Sequence, residues 1–354
     1  PFRMLSHLAR LTMLAKIKYI VAAAVALFLL DQLGVFHRIF ERDYETEFSY
    51  PLDLNGRRLL WQLEQGQEPE YKAINSYEHY RFKIRNEQKC KQTTSEPRVV
   101  LVIKSALKNG DRRDAIRRSW GYEGRFSDVP LRRIFVLGTG DPAVQDAIDS
   151  EQILHGDLVQ ADFVDTYYNN TIKTMIGFRW VYHYCPGAQF VMFVDDDYYV
   201  SVKNLLRFLR NPLEVSPSDD GAQESRVSDG RLYAGYVFPS SRPMRHRFSK
   251  WYLSLEEYPF SHFPPYVTAG AFVLSAPALR DMYRVSKYTK HFRFDDIYLG
   301  IVAYKAGVVP LHNDRFHFWE QSGELSRGVV AAHGFGDPAG LVRVWEQQKA
   351  RGEA

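Results

Sequence analysis

The sequence predicts an α/β fold built on a mostly parallel sheet. Two observations carry this. From about residue 98 onward, short apolar runs of strand type alternate with helical segments, which is the pattern of βαβ crossovers. One of those runs, Phe190-Val191-Met192-Phe193-Val194, ends in three consecutive carboxylates, Asp195, Asp196 and Asp197. A buried strand that delivers polar groups at its carboxyl end is the ligand-presenting arrangement of an open α/β sheet.

The elements follow in order. Residues 99–103 are a continuous apolar strand, and residues 112–120 read as a helix. Residues 134–137 form a second strand that stops at Gly138, and residues 143–154 are helical. A third strand covers residues 158–163, a third helix 171–184, and the fourth strand 190–194, with a helix at 202–210 behind it. Residues 211–230 are rich in Pro, Ser, Asp and Glu and read as an insertion. Strands at 232–237 and 272–274, a helix at 276–288, a helix at 296–305 and a strand at 308–311 come next. An amphipathic helix at 341–349 ends the pattern, and no internal repeat is present.

The first 97 residues have a different texture. Residues 1–18 carry Arg3, Arg10, Lys16 and Lys18 and no acid. Residues 19–30 are apolar without a break; Asp31 and Gln32 interrupt, and residues 33–36 resume. The stretch 19–36 is just long enough to span a bilayer. Its basic flank lies on the amino side, and no small-residue cleavage site follows. The expectation is a type II signal anchor: 1–18 a cytosolic tail, 19–36 the transmembrane span. Residues 37–97 are charged and rich in Gln, Glu and Tyr with no sustained period. They read as a stem and approach to a domain at 98–354.

Composition narrows the function. A net charge of +4 without Lys/Arg blocks in the body of the chain argues against nucleic acid as a partner. There are 22 tyrosines, 23 phenylalanines and 6 tryptophans. Such residues fill cores first, and they also stack on sugar rings and bases. The two cysteines, Cys90 and Cys185, form no CxxC, so structural zinc is not indicated. A disulfide and two buried thiols both stand as readings of them.

Three anions in a row need a counter-charge, and oxygen-only ligands suit Mg²⁺ or Mn²⁺. The spacing Asp195-x-Asp197 lets one carboxylate take a metal while its neighbour bonds the ribose or phosphate of a nucleotide. The plainer alternative is that the triplet caps the helix at 202–210. A second acidic pair, Asp295-Asp296, opens the helix at 296–305. It is either a helix start favoured by the dipole or the source of a general base beside the first site. His333, after Val330-Ala331-Ala332, and His317, in Arg315-Phe316-His317-Phe318, compete as a third ligand. Arg112-Arg113-Asp114-Ala115-Ile116-Arg117-Arg118 follows the first strand; a basic helix start there suits a phosphate, and a solvated basic face is the alternative. In Pro264-Pro265-Tyr266-Val267-Thr268-Ala269-Gly270, the glycine allows close approach of a ligand or marks a bulge. Asn169-Asn170-Thr171 is a glycosylation sequon.

Taken in order, RRDAIRRSWG, FVLG, DFVDTYYNNTIKT, FVDDDYYV, KWYLSLEEYP, PPYVTAGAFVLS and FDDIYLG resemble the β-1,3-glycosyltransferases of glycosyltransferase family 31. KWYLSLEEYP and the late HGFGDP are most similar to the Brainiac-type β-1,3-N-acetylglucosaminyltransferases. The resemblance runs from about residue 98 to 345. It implies a GT-A fold, a Rossmann-like single catalytic domain, with a UDP-sugar donor, Mn²⁺ (or Mg²⁺) and a Golgi membrane location with the domain lumenal. By motif it implies Asp296 as catalytic base and Asp197 with His333 as metal ligands, which sets His317 aside. Arg113, Arg117, Asp162, Lys173, Asp195 and Asp196 fall in donor-site motifs. Trp251, Tyr266, Gly270 and Asp295 fall in stretches expected to meet the acceptor, a β-linked mannose or galactose on a glycolipid or glycoprotein. Many members carry several disulfides, so with two cysteines no pairing is carried over.

The expected reaction is inverting transfer from UDP-N-acetylglucosamine, with UDP-galactose as the nearest alternative donor. A non-catalytic relative with the same fold would have lost an acidic site, and both are present. A glycosidase also uses two carboxylates but needs no metal.

Overall fold

The computed structural model describes residues 2–49, 54–91, 98–212, 230–321 and 324–354. The chain divides into two units. The smaller comprises Pro1–Phe48 and Ser240–Phe263; the larger comprises Ser49–Pro239 and Pro264–Ala354.

In the smaller unit, helix α1 (Phe2–Gln32) is followed by α2 (Val35–Ile39) and α3 (Tyr44–Glu47). The expected span at 19–36 is not one helix. It ends at Gln32, and Gly34 turns the chain in the left-handed region at φ 78°. A side chain there would also sit 2.4 Å from the Arg245 carbonyl oxygen, so only glycine fits. Among the described residues, no helix is long and apolar enough to cross a membrane. Arg245 is the polar core of this unit. Its guanidinium donates to Glu41 and to the carbonyls of Leu253, Ser254, Tyr258 and Phe260. The string KWYLSLEEYP is therefore a loop wrapped round one buried cation. Trp251, expected to meet the acceptor, belongs to this unit, and the Lys250 ammonium lies 4.6 Å from its ring centre.

The larger unit begins with α4 (Gly56–Glu64) and strand β1 (Phe82–Ile84), so part of the segment read as stem is ordered. β2 (Val99–Lys104), α5 (Gly110–Arg118), β3 (Leu131–Thr139), α6 (Gln145–His155), β4 (Leu158–Val164), α7 (Asn170–Tyr184) and β5 (Phe190–Asp195) follow the expected alternation. Next come β6 (Tyr198–Val200), α8 (Val202–Arg210), β7 (Tyr233–Phe238), β8 (Tyr266–Ser275), α9 (Ala276–Ser286) and α10 (Asp295–Ala306). β9 (Leu311–His312), β10 (Phe316–Glu320), β11 (Ala331–His333) and α11 (Pro338–Ala350) complete it. The expected insertion lies almost wholly outside the described residues.

The main sheet has the order β1-β4-β3-β2-β5-β8-β7-β9. β4, β3, β2 and β5 are parallel, as the alternation requires. β8 runs antiparallel to both β5 and β7, and β1 antiparallel to β4, which makes the sheet mixed. β2 is buried along its whole length, which is why it reads as a continuous apolar run. A second sheet, β10-β11-β6, sits immediately after β5 in the chain path. It pairs His333 with Tyr198, one residue beyond the acidic triplet.

Cys90 and Cys185 form a disulfide with Cα atoms 5.5 Å apart. It ties the segment after β1 to the end of α7.

Candidate active site

The site lies at the carboxyl ends of β2 and β5. Neither acidic cluster is a helix cap. Ser201 caps α8, its hydroxyl accepting from the Asn204 N–H. The N-cap of α10 is Phe294, which offers no side-chain bond.

Lys104, the last residue of β2, joins the two acidic clusters. Its Nζ lies 3.0 Å from Asp195 Oδ1 and donates to Asp295 Oδ2 at 2.9 Å and to the Ala269 carbonyl at 3.0 Å. Burial works to lower the Lys104 pKa, but the two carboxylates outweigh it and hold it above its ordinary value. Asp295 also accepts from Thr174 Oγ1 at 2.9 Å. Asp295 is thus fixed as part of a buried ion network and is not the open carboxylate expected to meet an acceptor. Asp296 is the open one. Its Oδ1 accepts from the Ile297 N–H at 2.8 Å. Burial, then the neighbouring Asp295, pushes its pKa up to about 7. A carboxylate poised there is matched to proton abstraction near neutral pH.

Asp196 is fully bonded. It accepts from Ser105 Oγ at 2.7 Å, Asn109 Nδ2 at 2.8 Å and Arg112 Nη1 at 3.0 Å. Asp195 is pushed up to about 7, chiefly by burial, against the pull of Lys104. Asp197 differs from both. Its Oδ1 is buried with no hydrogen-bond partner, and its Oδ2 is 3.5 Å from His333 Nε2. The Phe335 N–H donates to the Asp197 carbonyl at 2.8 Å and fixes the loop that carries the histidine. An unpartnered anionic oxygen beside an imidazole nitrogen is a donor pair for Mn²⁺ or Mg²⁺. Among the described residues no group of three or more His, Cys, Asp or Glu could hold a metal. Asp197 and His333 are the two side chains here that would hold such an ion.

The expected donor residues divide. Lys173 is near the site: its Nζ donates to the Ser105 carbonyl at 2.6 Å and pairs with Asp165 at 2.7 Å. Arg113 and Arg117 face inward instead. Arg113 chelates Glu151 through two 2.7 Å bonds and also bonds Ser105, Ala106 and Leu107. Arg117 holds Asp157, Glu151 and Asp114. Buried guanidiniums with these partners support α5 and do not reach a ligand. Arg112, half-exposed, is the arginine of this stretch that reaches the acidic triplet, its Nη1 3.0 Å from Asp196 Oδ1. Asp162 lies on β4, one strand in from the β1 edge, and accepts from the backbone and side chain of Arg81. Gly270 makes room for protein: a side chain there would lie 2.1 Å from the Tyr198 hydroxyl. Tyr266 is buried against Gly300 of α10. Asn169 donates to the Val164 carbonyl at 2.8 Å, and Thr171 of its sequon is buried.

Lys104, Ser105 and Asn109 are the site residues the sequence reading passed over, while Arg112 stood in the basic stretch it named without being singled out. Lys104 looks like the polar stop of an apolar strand. The signal lay in its register, directly opposite Asp195.

Residues 111–314 match the Galactosyltransferase family. The chain is 44% identical over 323 residues to "Beta-1,3-galactosyltransferase brn" of Drosophila melanogaster, covering 90% of this chain and 92% of that protein. It is 30% identical to "Beta-1,3-galactosyltransferase 1" of Mus musculus, over 77% of this chain and 79% of that one. It is 33% identical to "Beta-1,3-galactosyltransferase 5" of Homo sapiens, over 75% and 82%. Among solved structures, the galactosyltransferase LgtC with donor and acceptor sugar analogues is similar at a TM-score of 0.35 and 11% identity, over 72% of this chain and all of that one. On the sequence relationship, with two acidic clusters joined at one sheet edge, the chain belongs to the Galactosyltransferase family as a β-1,3-glycosyltransferase.

Proposed function

We propose that the enzyme transfers N-acetylglucosamine from UDP-N-acetylglucosamine, with inversion, to the 3-hydroxyl of a β-linked mannose or galactose on a glycolipid or glycoprotein glycan. The observation that carries this reading is the Lys104 bridge, which holds the donor-side triplet and the α10 carboxylates at one edge. In this reading, Asp197 and His333 would hold the Mn²⁺ or Mg²⁺ ion. When bound, the metal neutralises the diphosphate leaving group. Arg112, Asn109 and Ser105 orient Asp196 toward the nucleotide. Asp296 takes the proton from the acceptor hydroxyl as that oxygen attacks the anomeric carbon.

The choice of N-acetylglucosamine rests on the resemblance of KWYLSLEEYP and HGFGDP. The relatives, each named a β-1,3-galactosyltransferase, favour galactose as the second reading. We further propose a Golgi location with the catalytic unit lumenal. The basic amino-terminal flank supports this topology, and the Cys90–Cys185 pair suits an oxidising compartment. The test is a donor panel: the full chain with Mn²⁺, each UDP-sugar, and acceptors ending in β-mannose or β-galactose, with and without chelator, product linkage read by NMR. A β-1,3-N-acetylglucosamine product lost on chelation is expected. Full transfer in chelator overturns the metal, and a galactose product moves the donor to the second reading.

A further inference from the structure

The second sheet carries an aromatic cluster that the reaction as described leaves unused. Trp319 is 45% exposed on β10. His317 stacks on it at 5.0 Å with planes 17° apart. Phe318 and Tyr236 meet it edge-on at 5.2 and 5.7 Å. The β10–β11 register shifts between His317 and Glu320, and such irregularities re-aim side chains next to active sites. Here the shift leaves the bulkiest side chain of the strand turned to solvent.

The position of the cluster gives it meaning. On one side, Glu320 is paired with His333, and the Gln321 N–H donates to the His333 carbonyl at 3.2 Å. On the other, Phe318 and Tyr266 both pack on Phe238, at 5.3 and 5.5 Å. Tyr266 in turn lies against Gly300 of α10, the helix that begins with Asp295 and Asp296. The aromatics thus connect the metal-side histidine to the helix of the base. A neutral pyranose presents one apolar C–H face and a rim of hydroxyls, and an indole face is the surface that matches it.

We propose that Trp319, braced by His317, Phe318 and Tyr236, is the platform on which a sugar ring of the acceptor glycan lies. The inference rests on the proposed reaction for the identity of the ligand, while its test reads binding directly. Lactose and methyl β-mannoside are titrated, with UDP and Mn²⁺ present, into wild type, Trp319→Ala and Trp319→Phe, following tryptophan fluorescence and saturation-transfer NMR. Quenching in wild type is expected, and its loss in both variants, where the other tryptophans still emit, places the response at Trp319. The NMR signal should be lost in Trp319→Ala and partly kept in Trp319→Phe. In transfer assays, Trp319→Ala should raise acceptor KM by about tenfold or more, with kcat and UDP affinity little changed. Equal saccharide binding by Trp319→Ala and wild type overturns the proposal, as does the absence of any saccharide signal in wild type. Saccharide binding at Trp319 without transfer from any UDP-sugar would sink the proposed reaction and leave the platform standing.

Discussion

Replacing Asp296 by Asn should make the protein more stable and nearly inactive. The pKa of Asp296 is pushed from 3.8 to about 7 by burial and by Asp295. A carboxyl whose folded pKa is raised binds its proton more tightly in the folded state. Its ionisation therefore removes stability as pH rises from about 4 to 7, and the loss is complete above that. A difference of about three units at 1.36 kcal/mol each bounds the loss at about 4 kcal/mol. Asn keeps the oxygen that accepts from the Ile297 N–H but carries no charge. The variant should gain about 1–3 kcal/mol at pH 8, roughly a third of that at pH 5 and almost nothing below about pH 4, measured by urea denaturation at each pH. Transfer should fall at least ~10²-fold while UDP and Mn²⁺ affinity hold. The wild-type rate should drop on the acid side of about pH 7, and the variant's residual rate should not. A variant that turns over near the wild-type rate and loses about 1 kcal/mol would show Asp296 to be a helix-start residue only.

Three further outcomes follow from the same geometry. Lys104→Met leaves Asp195 and Asp295 without their cation and should cost about 3–5 kcal/mol; an unchanged denaturation midpoint would refute the bridge. Asp197→Ala and His333→Ala should each weaken Mn²⁺ binding in the presence of UDP by about tenfold or more, read by calorimetry. Asp197→Ala should lower Tm little, because Oδ1 has no partner and Oδ2 meets only the His333 imidazole at 3.5 Å. Reducing the Cys90–Cys185 bond opens a loop of 95 residues and should cost about 4–5 kcal/mol in the chain-entropy account. Identical melts with and without reductant would count against that.

The parallel half of the sheet was legible because β2, β3 and β5 carry continuous apolar runs and β2, β3 and β4 are each followed by a helix. β6, β10 and β11 were not, since strands of three to five residues take their identity from partners far along the chain. β8 was read only at its end, because Gly270 reads as a ligand approach or a bulge, whereas inside the strand it makes room for the Tyr198 hydroxyl. The carboxylates Asp197 and Asp296 announced themselves by clustering. Arg113 and Arg117 misled for the opposite reason: on a short helix, adjacent arginines face different ways. Only the packing against Glu151 and Asp157 shows which of them turn inward.

The Cys90–Cys185 bond also defines a load path. Between its ends lie β2, β3, β4, α5, α6 and α7, almost the whole parallel half of the sheet. A pull entering the larger unit from its amino-terminal side passes at Cys90 directly to Cys185 and on to β5. Roughly 330 Å of extended chain, at about 3.3–3.6 Å per residue for 95 residues, is thereby held out of reach of tension. Stretched from its ends, the oxidised protein should yield first at elements outside the bridge. The reduced protein should release that hidden length as an additional extension.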